Sequence, residues 1–523
     1  MAVAPHAAAS KSALAVLREG GNAIEAMIAA AATIAVVYPH MNSVGGDGFW
    51  LLHVPGMAPG AIDACGCAAS AADKDWYAER GFSGGIPVRG GPAANTVAGT
   101  LSGWGAAYRL SREALGGRLP LSRLLADAIG YARDGIVVTA GQARLTAVKS
   151  AELQAQPGFA GTFLDAGGVP PAGSRFYQRR LADTLSRISV AGTDDFYRGE
   201  LARSVAEDLQ RSGSPLRLED LQAHQARLVD PLRLQHPAGD VLNMTPPTQG
   251  IVSLLILGIL AELGVERVAP DSADYVHLCV EATKLAFRIR DTHVTDPRYM
   301  TVDARDLLAP SAVRKLAGLV DPQNAAPWGG ATQPGDTIWM GVIDGEGRAV
   351  SFIQSIYHEF GSGVVLPGSG VNWQNRGCSF SLQAGSRNEL MPGRKPFHTL
   401  NPAMARLNDG RFMVYGTMGG DGQPQTQCAL FTRAIGFGYA PQAAVSAPRW
   451  LLGRTWGQSS ESLKLESRFD PEVVAELIRR GHTVEMLADW DESVGHAGMI
   501  VRQPDGRLDG GADPRSDGAV AAF

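Results

Sequence analysis

Thr337 is the first residue of an alternating apolar run, Thr337-Ile338-Trp339-Met340-Gly341-Val342-Ile343, which Asp344-Gly345-Glu346-Gly347 turns back into a second run, Ala349 to Ser355. The pattern predicts two short strands joined by a hairpin, with Thr337 at the mouth of the first. A threonine there is ordinary strand chemistry while the peptide bond from Asp336 stays intact. Cut at that bond, Thr337 carries a hydroxyl and an amine on one residue, the minimal nucleophile and base for acyl transfer. Further on, Gly416-Thr417-Met418-Gly419-Gly420-Asp421-Gly422 contains adjacent glycines whose backbone N–H groups can form an oxyanion hole, a weak sign when read alone.

Other elements must hold these groups in place. Ala8 to Glu19, closed by Gly20-Gly21, and the alanine-rich Ala23 to Val37 are predicted helices. A glycine-rich turn, Asn42 to Gly48, leads into a strand, Phe49 to Val54; a phosphate loop over Gly45 to Gly48 lacks the following lysine and the strand-loop-helix context. Helices follow over 101–111, 121–134, 140–156, 178–191, 195–211, 218–226, 251–263 and 277–289, with a strand from Val241 that ends at Pro246-Pro247. His277 and Glu281, one helical turn apart, read as a tie between this helix and its neighbours, since a metal site would need a third ligand. Asp321 to Asp336 is rich in Pro, Gly, Ala and Gln and reads as a flexible or extended loop. Pro424 to Gly436 is a predicted helix that directs its amino end toward the Gly420 turn. Pro471 to Arg480 is another, capped by Asp470, with strands at His482 to Met486 and His496 to Arg502.

With 523 residues, 45% apolar and 19% charged, the chain can bury one large core or two coupled ones. A net charge of -5 gives no electrostatic reason to bind nucleic acid. The five cysteines, Cys65, Cys67, Cys279, Cys378 and Cys428, do not make a disulfide framework, and Cys65-Gly66-Cys67 lacks the spacing of a zinc or redox pair. Met1 to Ser10 has no basic region, and Ala26 to Tyr38 is too short to cross a bilayer, so a cytoplasmic protein with no membrane partner is expected.

The Thr337 strand, the Asp344 to Gly347 turn, the second strand and Phe360-Gly361-Ser362-Gly363 together resemble the precursor cleavage site of the gamma-glutamyltransferase family. Gly20-Gly21-Asn22-Ala23, Pro39-His40 through Phe49, Pro392 to Met404, Gly419-Gly420 and Gly511 to Gly518 extend the resemblance over about Ala4 to Phe523. The resemblance implies an N-terminal nucleophile hydrolase with a four-layer α/β/β/α sandwich. It implies cleavage between Asp336 and Thr337 into a large fragment, 1–336, and a small one, 337–523, which form one core as a heterodimer; a dimer of heterodimers is the larger assembly it allows. Ser355 stands where the family has a second threonine whose hydroxyl supports the nucleophile. No metal or organic cofactor is implied.

Departures from the family pattern fall where substrate is gripped. Cys65 replaces an arginine that holds the substrate's alpha-carboxylate, Tyr357 replaces an asparagine, and His398 and Thr399 replace paired serines. Arg376 and Ser379 stand where an acidic or amide residue and an aspartate hold the glutamyl amino group. A cation there favours an anionic substrate without an ammonium group; the alternative for Arg376 is a plain surface charge. Ser351 to Phe360 together with Trp373-Gln374-Asn375-Arg376-Gly377 resembles the amide-hydrolysing relatives within the family, and that resemblance implies hydrolysis of a small anionic amide, oxamate to oxalate and ammonia in purine breakdown, with Arg376 on the carboxylate and Tyr357, His398 and Thr399 around it. A gamma-glutamyltransferase, a glutathione hydrolase or a related acylase is the second reading, and an unprocessed, non-enzymatic homologue the third.

Overall fold

The computed structural model describes residues 1–329, 336–454 and 460–523, with the backbone alone of Asp336. Two antiparallel sheets dominate these residues. The first has seven strands, in the order Ala519–Ala521, Ala2–Ala4, Asp336–Ile343, Ala349–Tyr357, Asp47–His53, Gly60–Ala64 and Arg227–Val229. The second has six, in the order Leu508–Ala512, Ala497–Arg502, Phe412–Thr417, Ala403–Leu407, Gly239–Asn243 and Leu232–His236.

The period of two along each strand sorts side chains into layers. On the Asp336–Ile343 strand, Ile338, Met340 and Val342 pack with helices Ala7–Arg18, Ala23–Val37, Thr100–Ala114 and Leu121–Asp134. Trp339 and Ile343 point the other way and pack with Met404, Val414 and Ile500 of the second sheet. The outer face of that second sheet, with Met413, Tyr415 and Met499, is covered by helices Gly250–Leu263, Ala273–His293 and Gly422–Phe431. Three apolar interfaces therefore separate four layers, the α/β/β/α sandwich that the resemblance implied.

The Ala23–Val37 helix shows how composition builds a layer. Asn22 Oδ1 accepts the Ile24 and Glu25 amides, and the Glu25 carboxylate accepts the Asn22 amide at 3.0 Å, so both ends of a capping box are made. Every residue from Ala23 to Val37 is buried, and its alanines let neighbouring elements approach closely.

Most expected helices form within a few residues of their expected bounds. The one expected over 195–211 is two helices, Asp195–Arg198 and Glu200–Arg211, because Gly199 between them is extended at φ -94° and ψ -157°. The helix expected over 277–289 runs Ala273–His293. His277 and Glu281 do make ties: His277 bonds His482 and the Asp321 carbonyl, and Glu281 bonds Lys284 and the Ala326 amide. Those contacts, with Lys284 on the Ala326 carbonyl, anchor the described part of the expected 321–336 loop to the helix; residues 330–335 lie outside the described residues. The third possible metal ligand that the sequence did not show is also here, in His482, whose ring nitrogen lies within 4.8 Å of the His277 and Glu281 donor atoms. All five cysteines are free thiols. Among the described residues no helix is long and apolar enough to cross a membrane.

Candidate active site

Thr337 belongs to the inward-facing set of its strand, with Trp339 and Ile343, so it looks into the gap between the sheets. Contacts across that gap fix its level. A Cβ on Gly341 would meet Val414 at 3.1 Å, and one on Gly416 would lie 2.3 Å from Cδ1 of Trp339. Residue 341 thus sits over 414 and 339 over 416. Two residues further, Thr337 reaches the level of the Met418-Gly419-Gly420 turn. Gly419 at φ +112° and Gly420 at φ +51° take conformations suited to glycine, and the Gly422–Phe431 helix starts immediately after them. The Thr337 hydroxyl donates to the Gln354 carbonyl at 2.9 Å, and the residue is buried.

Beside Thr337 the ladder changes register. Ile338 pairs with Gln354, but Asp336 pairs with Tyr357, so the second strand bulges between them. A bulge re-aims side chains, and this one leaves Tyr357 at φ +82°, strained for a residue with a Cβ. Ser355 Oγ accepts the Tyr357 amide at 2.8 Å, which holds the bulge. On its other flank Ser355 pairs with Asp47, and a Cβ on Gly46 would come within 2.1 Å of the Ser355 carbonyl. Gly46 and the start of the Asp47–His53 strand therefore form a close-packed seat for the Ser355 strand.

The re-aimed Tyr357 ring meets Arg376, whose guanidinium carbon lies 3.3 Å from the ring centroid. Arg376 is 1% exposed, so it is not a surface charge. Its Nη1 donates to Thr399 Oγ1 at 3.1 Å, while Nε and Nη2 are buried without a hydrogen-bond partner among the described residues. Next to Thr399, the His398 Nε2 lies 3.1 Å from Asp47 Oδ2. Asp47 Oδ1 accepts the Gly66 amide at 3.0 Å, the Gly99 amide at 3.1 Å and the Gln374 side chain at 3.2 Å. Contacts therefore run in a closed ring from Ser355 through Tyr357, Arg376, Thr399, His398 and Asp47 back to Ser355.

Burial dominates the ionisation of this ring. It pushes the Asp47 carboxyl up to about 7, against the pull of its three N–H donors. Burial, then the Arg376 charge, holds His398 well below the ordinary imidazole range. The Tyr357 phenol is pushed up by burial and stays neutral.

A second network braces the glycine turn. Gln249 Nε2 donates to the Thr399 carbonyl at 2.9 Å and the Gly420 carbonyl at 2.8 Å. Arg290 donates to Gln249 Oε1 at 3.2 Å and pairs with Asp421 at 2.9 Å. Gly420 is thereby tied to the segment that carries His398 and Thr399.

Of the residues expected from the sequence, Ser355, Tyr357, Arg376, Thr399 and His398 lie on this ring, Thr337 adjoins it through the Gln354 carbonyl, and the Gly419-Gly420 turn is tied to it where Gln249 joins Gly420 to Thr399. Cys65 is buried nearby, its thiol within 4.8 Å of the Asp47 and His398 donor atoms. It also lines a cavity of about 310 Å³ with Val97, His224, Arg227 and Lys395. Asp47, Gln249, Arg290 and Asp421 were not expected. For Asp47 a signal existed: an acidic residue that opens an apolar strand needs partners, and only the fold shows which.

The description of the gamma-glutamyltranspeptidase family fits residues 9–523 of this sequence. The chain belongs to that family and is an enzyme of the N-terminal nucleophile type. It is 60% identical over 523 residues to an oxamate amidohydrolase proenzyme of Klebsiella pneumoniae, covering 100% of this chain and 98% of the relative. A glutathione hydrolase-like proenzyme of Bacillus subtilis is 39% identical over 100% of this chain and 98% of its own length. The fold is similar to the crystal structure of cephalosporin acylase from Bacillus halodurans, with a TM-score of 0.90 and 32% identity over 100% of this chain and 95% of that one.

Proposed function

We propose that this chain is a self-processing threonine amidohydrolase of small anionic amides, with oxamate as the substrate and oxalate and ammonia as products. One observation carries the substrate class: the buried Arg376 guanidinium keeps Nε and Nη2 unpaired among the described residues. A buried cation without a counter-charge is costly, and a carboxylate on those two nitrogens offsets the cost with a bidentate pair. The relative at 60% identity, an oxamate amidohydrolase proenzyme, supports the same reading.

Cleavage after Asp336 frees the Thr337 amine. That amine takes the hydroxyl proton, and the oxygen attacks the amide carbonyl beside the carboxylate held by Arg376. The Gly419 and Gly420 amides take the developing oxyanion. The amine then protonates the nitrogen, ammonia leaves, and water hydrolyses the threonyl ester. Tyr357 sets the guanidinium plane, and Thr399 holds one of its nitrogens. The fragments 1–336 and 337–523 stay together because their strands interleave: in the first sheet Asp336–Ile343 and Ala349–Tyr357 lie between Ala2–Ala4 and Asp47–His53.

The second reading, a glutathione hydrolase, is favoured by the relative at 39% identity. It would bring the alpha-ammonium of a glutamyl group up to Arg376, where like charges repel at low dielectric. Ammonia release from oxamate and glutamate release from glutathione, assayed side by side on processed protein, separate the two. Ammonia from oxamate that is lost in Thr337→Ala is the expected result; glutamate release without ammonia release contradicts it.

A further inference from the structure

Nδ1 of His398 is a second kind of unpaired buried atom in the site. The other ring nitrogen is committed to Asp47 Oδ2 at 3.1 Å. Oδ1 of Asp47 faces three N–H groups, from Gly66, Gly99 and Gln374, and these can only donate. With Asp47 ionised, Oδ2 accepts Nε2–H, and the neutral ring then carries a lone pair on Nδ1. Burial and the nearby Arg376 keep the ring neutral. A group that only donates, Arg376, and an atom that only accepts, His398 Nδ1, therefore stand on residues joined through Thr399. A carboxylate beside a primary amide matches both: acceptor oxygens on one half and N–H donors on the other.

We propose that His398 Nδ1 accepts a hydrogen bond from the N–H of the scissile amide, and that Asp47 is the positioning residue that fixes the tautomer. This inference rests on the reading of the site as one for a carboxylate next to an amide, and it supplies the determinant for the nitrogen half. As the Thr337 amine protonates the departing nitrogen, its N–H bonds become stronger donors, so the contact tightens toward the transition state. One proton added to the Asp47–His398 pair reverses the contact. Either Asp47 donates to Nε2 and the ring proton moves to Nδ1, or the imidazolium carries both protons; in each case Nδ1 becomes a donor. Among the described residues, Arg376, Lys395, Asp63, Cys65, Tyr197 and His224 are charged or titratable groups around the pair.

The test compares oxamate with the monoethyl ester of oxalate, which keeps the carboxylate and the acyl group but has no N–H on its leaving atom. Processed wild type, His398→Phe, His398→Gln and Asp47→Asn are assayed on both. In Asp47→Asn the new side-chain amide would donate to Nε2 and so force a proton onto Nδ1. His398→Phe and Asp47→Asn are expected to lower the oxamate-to-ester ratio of kcat/KM by about 10- to 100-fold. His398→Gln, whose side-chain carbonyl can accept, is expected to recover part of that ratio. A merely structural role lowers both substrates together, and an unchanged ratio in His398→Phe and Asp47→Asn overturns the proposal. The ¹⁵N spectrum of histidine-labelled protein reads the tautomer without turnover: a bare Nδ1 on His398 at about pH 8 supports the proposal, and Nδ1–H overturns it. Processed wild type that hydrolyses neither compound overturns the substrate reading itself, and this contact with it.

Discussion

The guanidinium carbon of Arg376 lies 3.3 Å from the centroid of the Tyr357 ring, and both residues are buried. A desolvated cation over an aromatic face is worth about 2 kcal/mol, enough to hold the fork in one plane while two of its nitrogens stay open. Removing one partner of a buried, hydrogen-bonded charge pair costs about 2–5 kcal/mol. Arg376→Met is therefore expected to lower kcat/KM for oxamate by roughly 30-fold to several thousand-fold, mostly without loss of processing. Steady-state kinetics on mass-verified, processed protein checks this.

Gln249 touches no substrate in this reading, yet it joins the carbonyls of Thr399 and Gly420. Gln249→Leu frees the glycine turn and leaves two buried carbonyls short of a donor. If the turn acts on the oxyanion and not on bound substrate, as proposed, kcat should fall by about 10- to 100-fold with little change in KM. A rise in KM with kcat little changed would place Gln249 in binding instead.

The level of Thr337 depends on the stacking of Trp339 over Gly416. The Trp339 indole is pinned by its bond to Ser351 Oγ at 2.9 Å, so it cannot move aside for a Cβ at 2.3 Å. Gly416→Ala is expected to cost about 1–3 kcal/mol by overpacking and to slow processing. Gly130→Ala, in a helix with open space around it, should be neutral or stabilising by up to about 1 kcal/mol. Denaturant titration of both variants, with the processed fraction by mass, makes the comparison.

Burial raises the Asp47 carboxyl to about 7 in the folded protein, above its unfolded value of 3.8. Below about pH 4 both states hold the proton and the cost of burying the charge is absent. As pH rises toward 7, the unfolded chain releases a proton that the native state keeps, so this stability is lost through that window and levels off above it. The Asp47 share should be of the order of a few kcal/mol. Denaturant unfolding of wild type and Asp47→Asn at pH values from about 4 to 8 should show a smaller fall in the variant; parallel curves would contradict the shift.

The layers were legible in the sequence because long periodic segments announce themselves: the Ala23–Val37 helix has the bounds expected of it, and the hairpin around Thr337 forms where its alternation and glycine turn placed it. The site residues were legible through chain-wide resemblance, since no local pattern links Thr337 to Arg376 or His398. What stayed hidden depends on contacts distant in sequence. The Ala2–Ala4 and Ala519–Ala521 strands are too short to show a period and exist as partners of each other at opposite ends of the chain. Asp47 becomes a site residue only when His398, 351 positions later, reaches it. The break at Gly199 is hidden because the apolar spacing of 195–211 continues across it.

The most direct test of Thr337 as an amino-terminal nucleophile is the intact mass of freshly purified, denatured protein. Two species, ending at Asp336 and beginning at Thr337, are predicted. A single species of 55.1 kDa that persists on incubation would contradict the assignment of Thr337.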